Sequence, residues 1–210
     1  MAYSGNRMCH HIPVLSMFEI RGRSQQTEHR QIERCTRMDL MTAIKTRRSV
    51  RRYKRTLVDD QKIIECLEAA RWAPSADNSQ PWEFIIVKDA ETRRKLAAIH
   101  TWGRFMAESP VVVVFLADAG MSPNYYHGDV AVSVQNFLLA AHSQSLGTCW
   151  MGVMNTEFEE PIKKLLGVPK DLSVLCTVSV GYPDEKPTSS RKPLGEKSHW
   201  DRYGAKKPIS

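Results

Sequence analysis

The residues with the clearest capacity for chemistry form a short basic run, Arg47-Arg48-Ser49-Val50-Arg51-Arg52. Side chains of an extended chain alternate between two sides, so Arg47, Ser49 and Arg51 are predicted to share one face. Two guanidinium groups with a hydroxyl between them suit a phosphate or another oxygen-rich anion, because their donors fork onto paired oxygens. A solvated basic turn at the end of a helix is the simpler alternative. The run taken alone favours that alternative.

A second polar segment lies between two tryptophans and reads Ala73-Pro74-Ser75-Ala76-Asp77-Asn78-Ser79-Gln80-Pro81. Its amide and hydroxyl groups could read the hydrogen-bonding edge of a flat heterocycle, with apolar rings beside it. The alternative is a rigid turn in which Pro81 sets the start of a strand. The residue types leave both interpretations open.

Two later segments add a glycine pair and another cation. In Leu146-Gly147-Thr148-Cys149-Trp150-Met151-Gly152, the glycines allow backbone N–H groups to approach a ligand closely. Cys149 is interpreted as a small buried residue and not as a nucleophile, because spacing identifies no partner histidine. The other segment is Ser189-Ser190-Arg191-Lys192-Pro193-Leu194, which follows the last predicted strand.

Several other site classes find no motif in this chain. It contains no Gly-x-Gly-x-x-Gly, no Walker-type glycine loop, no Gly-x-Ser-x-Gly and no His-Glu-x-x-His. We therefore predict no metal site. His100, His127, His142 and His199 stand apart, and each is interpreted as a surface histidine or a satisfied core histidine.

The composition is that of an ordinary globular chain. Of 210 residues, 42% are hydrophobic and 25% are charged, and no apolar run reaches the roughly 18 residues of a membrane-spanning helix. The formal net charge of +7 favours an anionic partner and leaves nucleic acid, a phosphate-bearing cofactor and mere solubility open. Five scattered cysteines without a Cys-x-x-Cys pair indicate a reducing compartment, and we expect the cytoplasm.

The chain divides into a leader and one domain. Residues 1–37 show no helix or strand period and are predicted to be a flexible N-terminal leader, whereas residues 38–210 form the folded domain. Helices are predicted from Asp39, from Asp59, over Ala90–Ile99, His127–Ser145 and Phe158–Leu166, and strands over Phe84–Val87, from Pro110, over Cys149–Val153 and Leu172–Val180. The elements interleave with uneven crossovers and little glycine, which favours an α+β three-layer sandwich over a regular Rossmann domain.

Taken in order, the four segments resemble the nitroreductase family of flavin-dependent oxidoreductases, and the resemblance covers Met41 to Leu194. It implies an α/β/α sandwich with a central mixed, mostly antiparallel sheet. It also implies an intertwined homodimer that holds FMN at its interface, with two equivalent sites.

The resemblance also implies a set of cofactor contacts. These come from Arg47, Arg48, Ser49, Arg51, Pro74, Ser75, Asn78, Gln80, Met151, Gly152 and Arg191. Among them, Arg47 and Arg191 would hold the FMN phosphate, with Ser49 in the same cradle. Arg51 would lie near the pyrimidine side of the flavin ring.

The remaining contacts would surround the flavin ring. The backbone of Met151 and Gly152 matches the stretch that lies near flavin N5 in the family. Pro74, Ser75 and Asn78 match contacts that the family supplies from the second protomer.

The function predicted is that of an FMN-dependent oxidoreductase. Hydride would pass from NADH or NADPH through flavin N5 to an electron-poor acceptor, such as a nitroaromatic or a quinone, in a ping-pong cycle. No side chain is expected to act as a catalytic acid or base.

Three alternatives stay open. One is a flavin-binding or sensing module with little turnover, and another is a dehalogenating or flavin-consuming relative on the same frame. The chain departs from the best-known members at Trp102–Met106, which lacks their additional asparagine, and the insertion that covers the flavin is short or missing.

The third alternative, a nucleic-acid binder, is the weakest, because without residues 1–37 the chain holds 24 basic and 20 acidic residues, a charge of 24 − 20 = +4. We therefore expect a small-molecule acceptor and a second copy as partners, and neither nucleic acid nor membrane.

Overall fold

A single four-stranded sheet forms the centre of the domain. The computed structural model describes residues 38–208, and the predicted leader over residues 1–37 lies outside the described residues. The strands are β1 (Trp82–Val87), β2 (Val111–Asp118), β3 (Gly147–Gly152) and β4 (Leu172–Gly181). Their order is β1-β2-β4-β3, and every neighbouring pair is antiparallel.

The two central strands are buried on both faces. From Val111 to Ala117, no residue of β2 exposes more than 3% of its surface. This run is rich in β-branched valine, which packs well on a pleated surface covered from both sides. Helices must therefore lie on each face of the sheet.

Within the described part of the chain, six helices surround the sheet, and aspartates begin three of them. The helices are α1 (Leu40–Thr46), α2 (Asp60–Arg71), α3 (Ala90–Ile99), α4 (Tyr126–Ser143), α5 (Glu159–Leu166) and α6 (Leu194–Lys197). The carboxylates of Asp39, Asp59 and Asp89 accept N–H groups in the first turns of α1, α2 and α3. Each carboxylate thereby satisfies a donor that has no partner inside its helix. Short 3₁₀ turns lie at Ala76–Asn78 and Arg104–Ala107.

The helices form one layer on each face of the sheet. On one face, α2 and α4 pack against alternate residues of β2 such as Val113 and Phe115. On the other face, α3 and α5 pack against Val112, Val114 and Leu116. The predicted three-layer α+β sandwich is confirmed. The parallel part of the expected mixed sheet is limited, within residues 38–208, to a bridge between Ser49 and Thr148.

Two strands begin two residues earlier than the sequence predicts. β1 begins at Trp82 and not at Phe84, because Trp82 and Glu83 continue the ladder with β2. β3 begins at Gly147 and not at Cys149, because Gly147 pairs with Gly181 of β4. Glycine disfavours a strand locally, so Gly147 gives no strand signal without knowledge of its pairing partner.

The segment between α1 and α2 follows the outer side of β3. Ser49 bridges to Thr148, and the Thr148 carbonyl oxygen accepts the N–H of Val50 at 2.9 Å. Farther along, Tyr53 forms an antiparallel bridge with Pro183. The basic run is therefore attached to the sheet at both ends.

No helix within residues 38–208 is long and apolar enough to cross a membrane.

The packing of Val50 on Gly147 generates a stability prediction. A Cβ atom added at Gly147 would lie 2.9 Å from Cβ, Cγ1 and Cγ2 of Val50. Gly147→Ala should therefore lower the free energy of unfolding by about 1–3 kcal/mol, the usual cost of overpacking a core. Urea unfolding followed by circular dichroism measures this change.

Gly195→Ala is the matched control, because a Cβ at Gly195 would meet nothing within 4 Å. Equal stabilities of the two variants would show that Val50 does not press on Gly147.

Candidate functional site

A cavity of about 570 Å³ opens at the outer side of β3. It is lined by Arg51, His100, Trp102, Phe105, Cys149, Trp150, Met151, Gly152, Thr156, Glu157 and Phe158. Aromatic rings and backbone make up much of this lining, and Arg51 brings a positive charge. Such a cavity suits a flat, partly polar ligand.

Gly152 presents its backbone to this cavity. Within a strand, the N–H and C=O of one residue point the same way, and successive residues alternate. The carbonyl of Thr148 bonds Val50, and that of Gly152 lies 3.1 Å from Nε2 of His100, so both point away from β4. The N–H of Gly152 therefore also faces the outer side of β3. A Cβ at Gly152 would meet nothing within 4 Å, so a ligand can approach this donor closely.

Arg51 lies at the cavity beside an aromatic ring. Its guanidinium carbon lies 6.0 Å from the centroid of the Phe105 ring. The backbone N–H groups of Arg51 and Arg52 donate to Oε1 of Glu185 at 2.5 and 3.1 Å. Glu185 thereby holds the backbone that carries Arg51, and sequence reasoning missed this contact.

The predicted face that Arg47, Ser49 and Arg51 share is observed. The Ser49 side chain and the charges of Arg51 and Arg47 all act on the Cys149 thiol. On the opposite side, Val50 is buried and Arg52 lies 3.7 Å from Asp184. Arg47, Ser49 and Arg51 thus lie around one point of β3.

Cys149 itself is a buried thiol. Burial raises its pKa above the ordinary cysteine value, although the charge of Arg51 and the nearby Ser49 side chain act in the opposite direction. A raised pKa keeps the group protonated near neutral pH, and a thiol is a poor nucleophile. The interpretation of Cys149 as a small buried residue agrees with this environment.

Arg47 and Arg191 bring like charges together. Burial lowers the pKa of the half-buried Arg47, and the positive charges of Arg191 and Arg48 lower it further. Neither Arg47 nor Arg191 forms an ion pair with a carboxylate among residues 38–208. A bound polyanion would relieve this repulsion, so the arrangement suits a phosphate.

Arg48 connects the two parts of this cationic group. It donates to the carbonyl oxygens of Lys45 and Arg47, each at 2.8 Å, and to the carbonyl oxygen of Ser189 at 3.2 Å. These bonds join the end of α1 to the loop that carries Arg191. The direct contact between Arg48 and a cofactor stays a prediction.

The polar loop over residues 74–80 is strained and well held. Asp77, Asn78 and Gln80 all have φ between 51° and 55°, in the left-handed region. Non-glycine residues persist there only when neighbouring contacts enforce the conformation, as is common at binding sites. Here the hydroxyl of Ser75 accepts the N–H of Gln80 at 2.9 Å, and Asp129 of α4 accepts the N–H of Ala76 at 3.2 Å.

This loop lies far from the cationic group within one chain. The loop contacts α4 at Asp129, whereas Thr46, next to Arg47, contacts α4 at His142. Thirteen residues of α-helix separate these points by about 20 Å. The loop also precedes β1, at the opposite edge of the sheet from β3, about 14 Å away across three strand spacings.

The structure therefore divides the predicted site residues into two groups. One group gathers at the outer side of β3: Arg47, Arg48, Ser49, Arg51, Met151, Gly152 and Arg191. The other group gathers at the start of β1: Pro74, Ser75, Asn78 and Gln80. The cofactor contacts of both groups stay predictions.

Sequence reasoning missed the residues that close the cavity opposite β3. His100 and Phe158 are both buried, and their rings stack with centroids 4.4 Å apart. They come from different elements 58 positions apart, and no spacing pattern joins them. The sequence predicts a surface histidine or a satisfied core histidine at position 100, whereas Nδ1 of His100 has no hydrogen-bond partner among the described residues.

Comparison with known proteins identifies the family. The model of the Nitroreductase family matches residues 44–102 and 100–182. This chain belongs to the nitroreductase family.

Three relatives illustrate the range of the family. A protein of Methanothermobacter thermautotrophicus, whose name carries both NADH dehydrogenase and NAD(P)H nitroreductase, is 36% identical over 72% of this chain and 81% of its own length. A Desulfovibrio desulfuricans protein solved in complex with FMN is 32% identical with a TM-score of 0.70, and the match covers 79% of this chain and 98% of that one. The iodotyrosine deiodinase of Thermotoga neapolitana is 28% identical over 67% of this chain and 87% of its own length.

The repulsion between Arg47 and Arg191 generates a second prediction. Arg191→Ala should raise the melting temperature of the ligand-free protein slightly, because it removes a like charge beside Arg47. The same variant should lose most of the stabilisation that added pyrophosphate gives the parent. Thermal melts with and without pyrophosphate measure both effects.

Lys192→Ala is the control, since it removes a neighbouring exposed cation from the same loop. If Arg191→Ala responds to pyrophosphate like the parent, Arg191 does not form a phosphate site with Arg47.

Proposed function

We propose that this protein is an FMN-dependent oxidoreductase that uses NADH or NADPH to reduce an electron-poor small molecule. One observation carries the proposal. The cationic group at Arg47 and Arg191 lies on the same side of β3 as a cavity that presents the free N–H of Gly152. A ligand with a phosphate at one end and a flat, polar-edged ring at the other would use both features.

FMN fits each part of this arrangement. Its phosphate would relieve the repulsion between Arg47 and Arg191, and Ser49 would add a hydroxyl. Its ring would lie against the backbone of Met151 and Gly152. Arg51 would bring a positive charge to the pyrimidine side, where it stabilises negative charge on the ring.

When bound, FMN would supply the redox chemistry, which is hydride transfer from NAD(P)H to the acceptor through N5. The chain's own residues bind and orient. The N–H of Gly152 would donate a hydrogen bond to the ring edge, and the stacked rings of His100 and Phe158 close the inner wall of the cavity. The protein thereby positions the reactants and excludes water from part of the ring.

The second group of predicted contacts is best explained by a homodimer. Within one chain, the loop at residues 74–80 lies too far from the cavity to contact a ligand there. In a homodimer, the loop would instead complete the cavity of the second copy. α1 exposes Leu40, Met41 and Ile44, which form an apolar surface suited to such a contact. Each dimer would then hold two equivalent sites.

Two further points belong to this proposal. Reductive dehalogenation is a second candidate reaction, supported by the similarity to the Thermotoga neapolitana deiodinase. We also place the protein in the cytoplasm, on the ground that Cys66, Cys149 and Cys176 are free thiols.

The proposal predicts a yellow protein whose colour NAD(P)H bleaches. After incubation with FMN and gel filtration, the parent should retain a flavin absorption band, and anaerobic addition of NADH or NADPH should remove it. Binding without reduction would identify a sensing module instead. Nitroaromatic, quinone and halogenated aromatic acceptors, added one at a time, should separate the two candidate reactions by which of them restores the band.

Gly152→Leu is the matched variant. A Cβ atom there meets nothing within 4 Å in the chain itself, so the protein should fold while the ring is displaced and FMN binding is lost. Gly195→Leu, at another open glycine, should bind FMN like the parent. Normal FMN binding by Gly152→Leu would contradict the placement of the ring.

A complementation experiment tests the shared site. Gly152→Leu destroys the cavity side, and Pro74→Glu, at an exposed position, should destroy the loop side, so each homodimer binds no FMN. In a mixture after subunit exchange, half of the dimers are mixed and each restores one of its two sites, so about a quarter of the parent's FMN binding should return.

A site confined to one chain predicts no recovery in that mixture. Sedimentation of each variant shows whether both remain dimeric.

A further inference from the structure

Trp102 lies at the mouth of the cavity beside β3. Besides His100, four aromatic side chains line this cavity, and three of them, Phe105, Trp150 and Phe158, are buried or half-buried. Trp102 instead exposes 79% of its surface. The buried rings therefore form the inner wall of the cavity, and the Trp102 indole forms part of its rim.

The backbone that carries Trp102 is held on both sides. The N–H of Gly103 donates to the carbonyl oxygen of His100 at 2.8 Å, which closes a turn with Trp102 at its third position. The 3₁₀ turn Arg104–Ala107 follows, and its Met106 is fully buried. Tryptophan has only two side-chain torsions, so a ligand that covers its ring on such a backbone removes little conformational entropy.

Packing within the described part of the chain does not explain a tryptophan at this position. A side chain that is mostly exposed removes little apolar area from water and therefore adds little to stability. Single exposed apolar residues are common on protein surfaces. Trp102 differs from these because its ring borders the cavity that would hold the flavin ring. Its aromatic surface is available there to a second ligand.

We propose that Trp102 is a specificity-determining residue that selects flat aromatic acceptors by stacking on them at the mouth of the cavity. The inference rests on the proposed function. With the flavin ring against the backbone of Met151 and Gly152, an acceptor reaches it through the open mouth that Trp102 borders. The indole face carries more negative charge than the other aromatic side chains, so it attracts an electron-poor ring. An acceptor without a ring gains nothing from this contact.

The experiment measures the binding of an aromatic ligand to the oxidised, FMN-loaded protein without NAD(P)H. 1,4-Naphthoquinone is titrated into the parent, Trp102→Ala and Trp102→Phe, and the change in the flavin band gives the dissociation constant. We expect Trp102→Ala to raise this constant about tenfold, which corresponds to about 1.4 kcal/mol. Trp102→Phe keeps a smaller ring and should lie between the two. The control Trp200→Ala removes another exposed tryptophan, which does not line the cavity, and should bind like the parent.

Reoxidation in a stopped-flow instrument separates selection of the acceptor from the chemical step. The dithionite-reduced protein is mixed with 1,4-naphthoquinone, or with ferricyanide, which has no aromatic ring and takes one electron per ion. For naphthoquinone, Trp102→Ala should raise the half-saturating concentration about tenfold and leave the limiting rate unchanged, because stacking stabilises the ground and transition states equally. With ferricyanide, the rate should equal that of the parent.

The outcomes distinguish this proposal from the one on which it rests. A parent that binds no FMN overturns both. A parent that binds FMN, together with a Trp102→Ala protein of unchanged naphthoquinone affinity, overturns the role of Trp102 alone.

Two other results would also overturn that role. A weaker FMN affinity of Trp102→Ala would place the indole on the flavin ring and not on the acceptor. Acrylamide quenching of the parent's fluorescence, compared with that of Trp102→Phe, should show that Trp102 is accessible in the ligand-free protein. Protection of Trp102 from acrylamide would place it under a second copy of the chain.

Discussion

The attachment of Ser49 and Val50 to the outer side of β3 is the contact on which the site depends. Val50 packs on Gly147, and the Thr148 carbonyl accepts the Val50 N–H. These contacts place the odd-numbered residues after α1 on one side of the segment. Arg47, Ser49 and Arg51 therefore lie near the same point of β3. The cationic group and the cavity both lie at the outer edge of β3, because the segment after α1 is attached to that edge.

That same edge explains why a single chain holds only part of the predicted site. The sheet places β1 and β3 at opposite edges, and α4 spans the distance between the loop at residues 74–80 and the end of α1. The loop is nevertheless held in a strained conformation that a mere connection would not need. A rigid loop far from its own cavity is what an exchange between two copies requires.

Much of the fold could be predicted from local chemistry. Aspartate caps marked the start of three helices, and the valine run of β2 indicated a strand buried on both faces. The alternating faces of the basic run also followed from the period of an extended chain. These features depend on residues close together in sequence, which is why a single sequence contains them.

The contacts that complete the site could not be predicted in this way. Glu185 binds the backbone of Arg51 from 134 residues away, and His100 reaches Gly152 across 52. Such partners depend on strand order, which one sequence does not determine. The start of β3 at Gly147 also differs from the sequence prediction, because glycine gives little local signal for a strand.

Arg47 and Arg191, which form no ion pair with a carboxylate among residues 38–208, also have a consequence for the amount of the protein in a cell. Repulsion between these like charges lowers the stability of the ligand-free protein. An anionic ligand that binds only the folded state adds to its stability. Its abundance would then follow the supply of that ligand, because unfolded molecules are the ones that proteases remove. A shortage of that ligand would reduce the amount of this protein, and not only the fraction of it that is active.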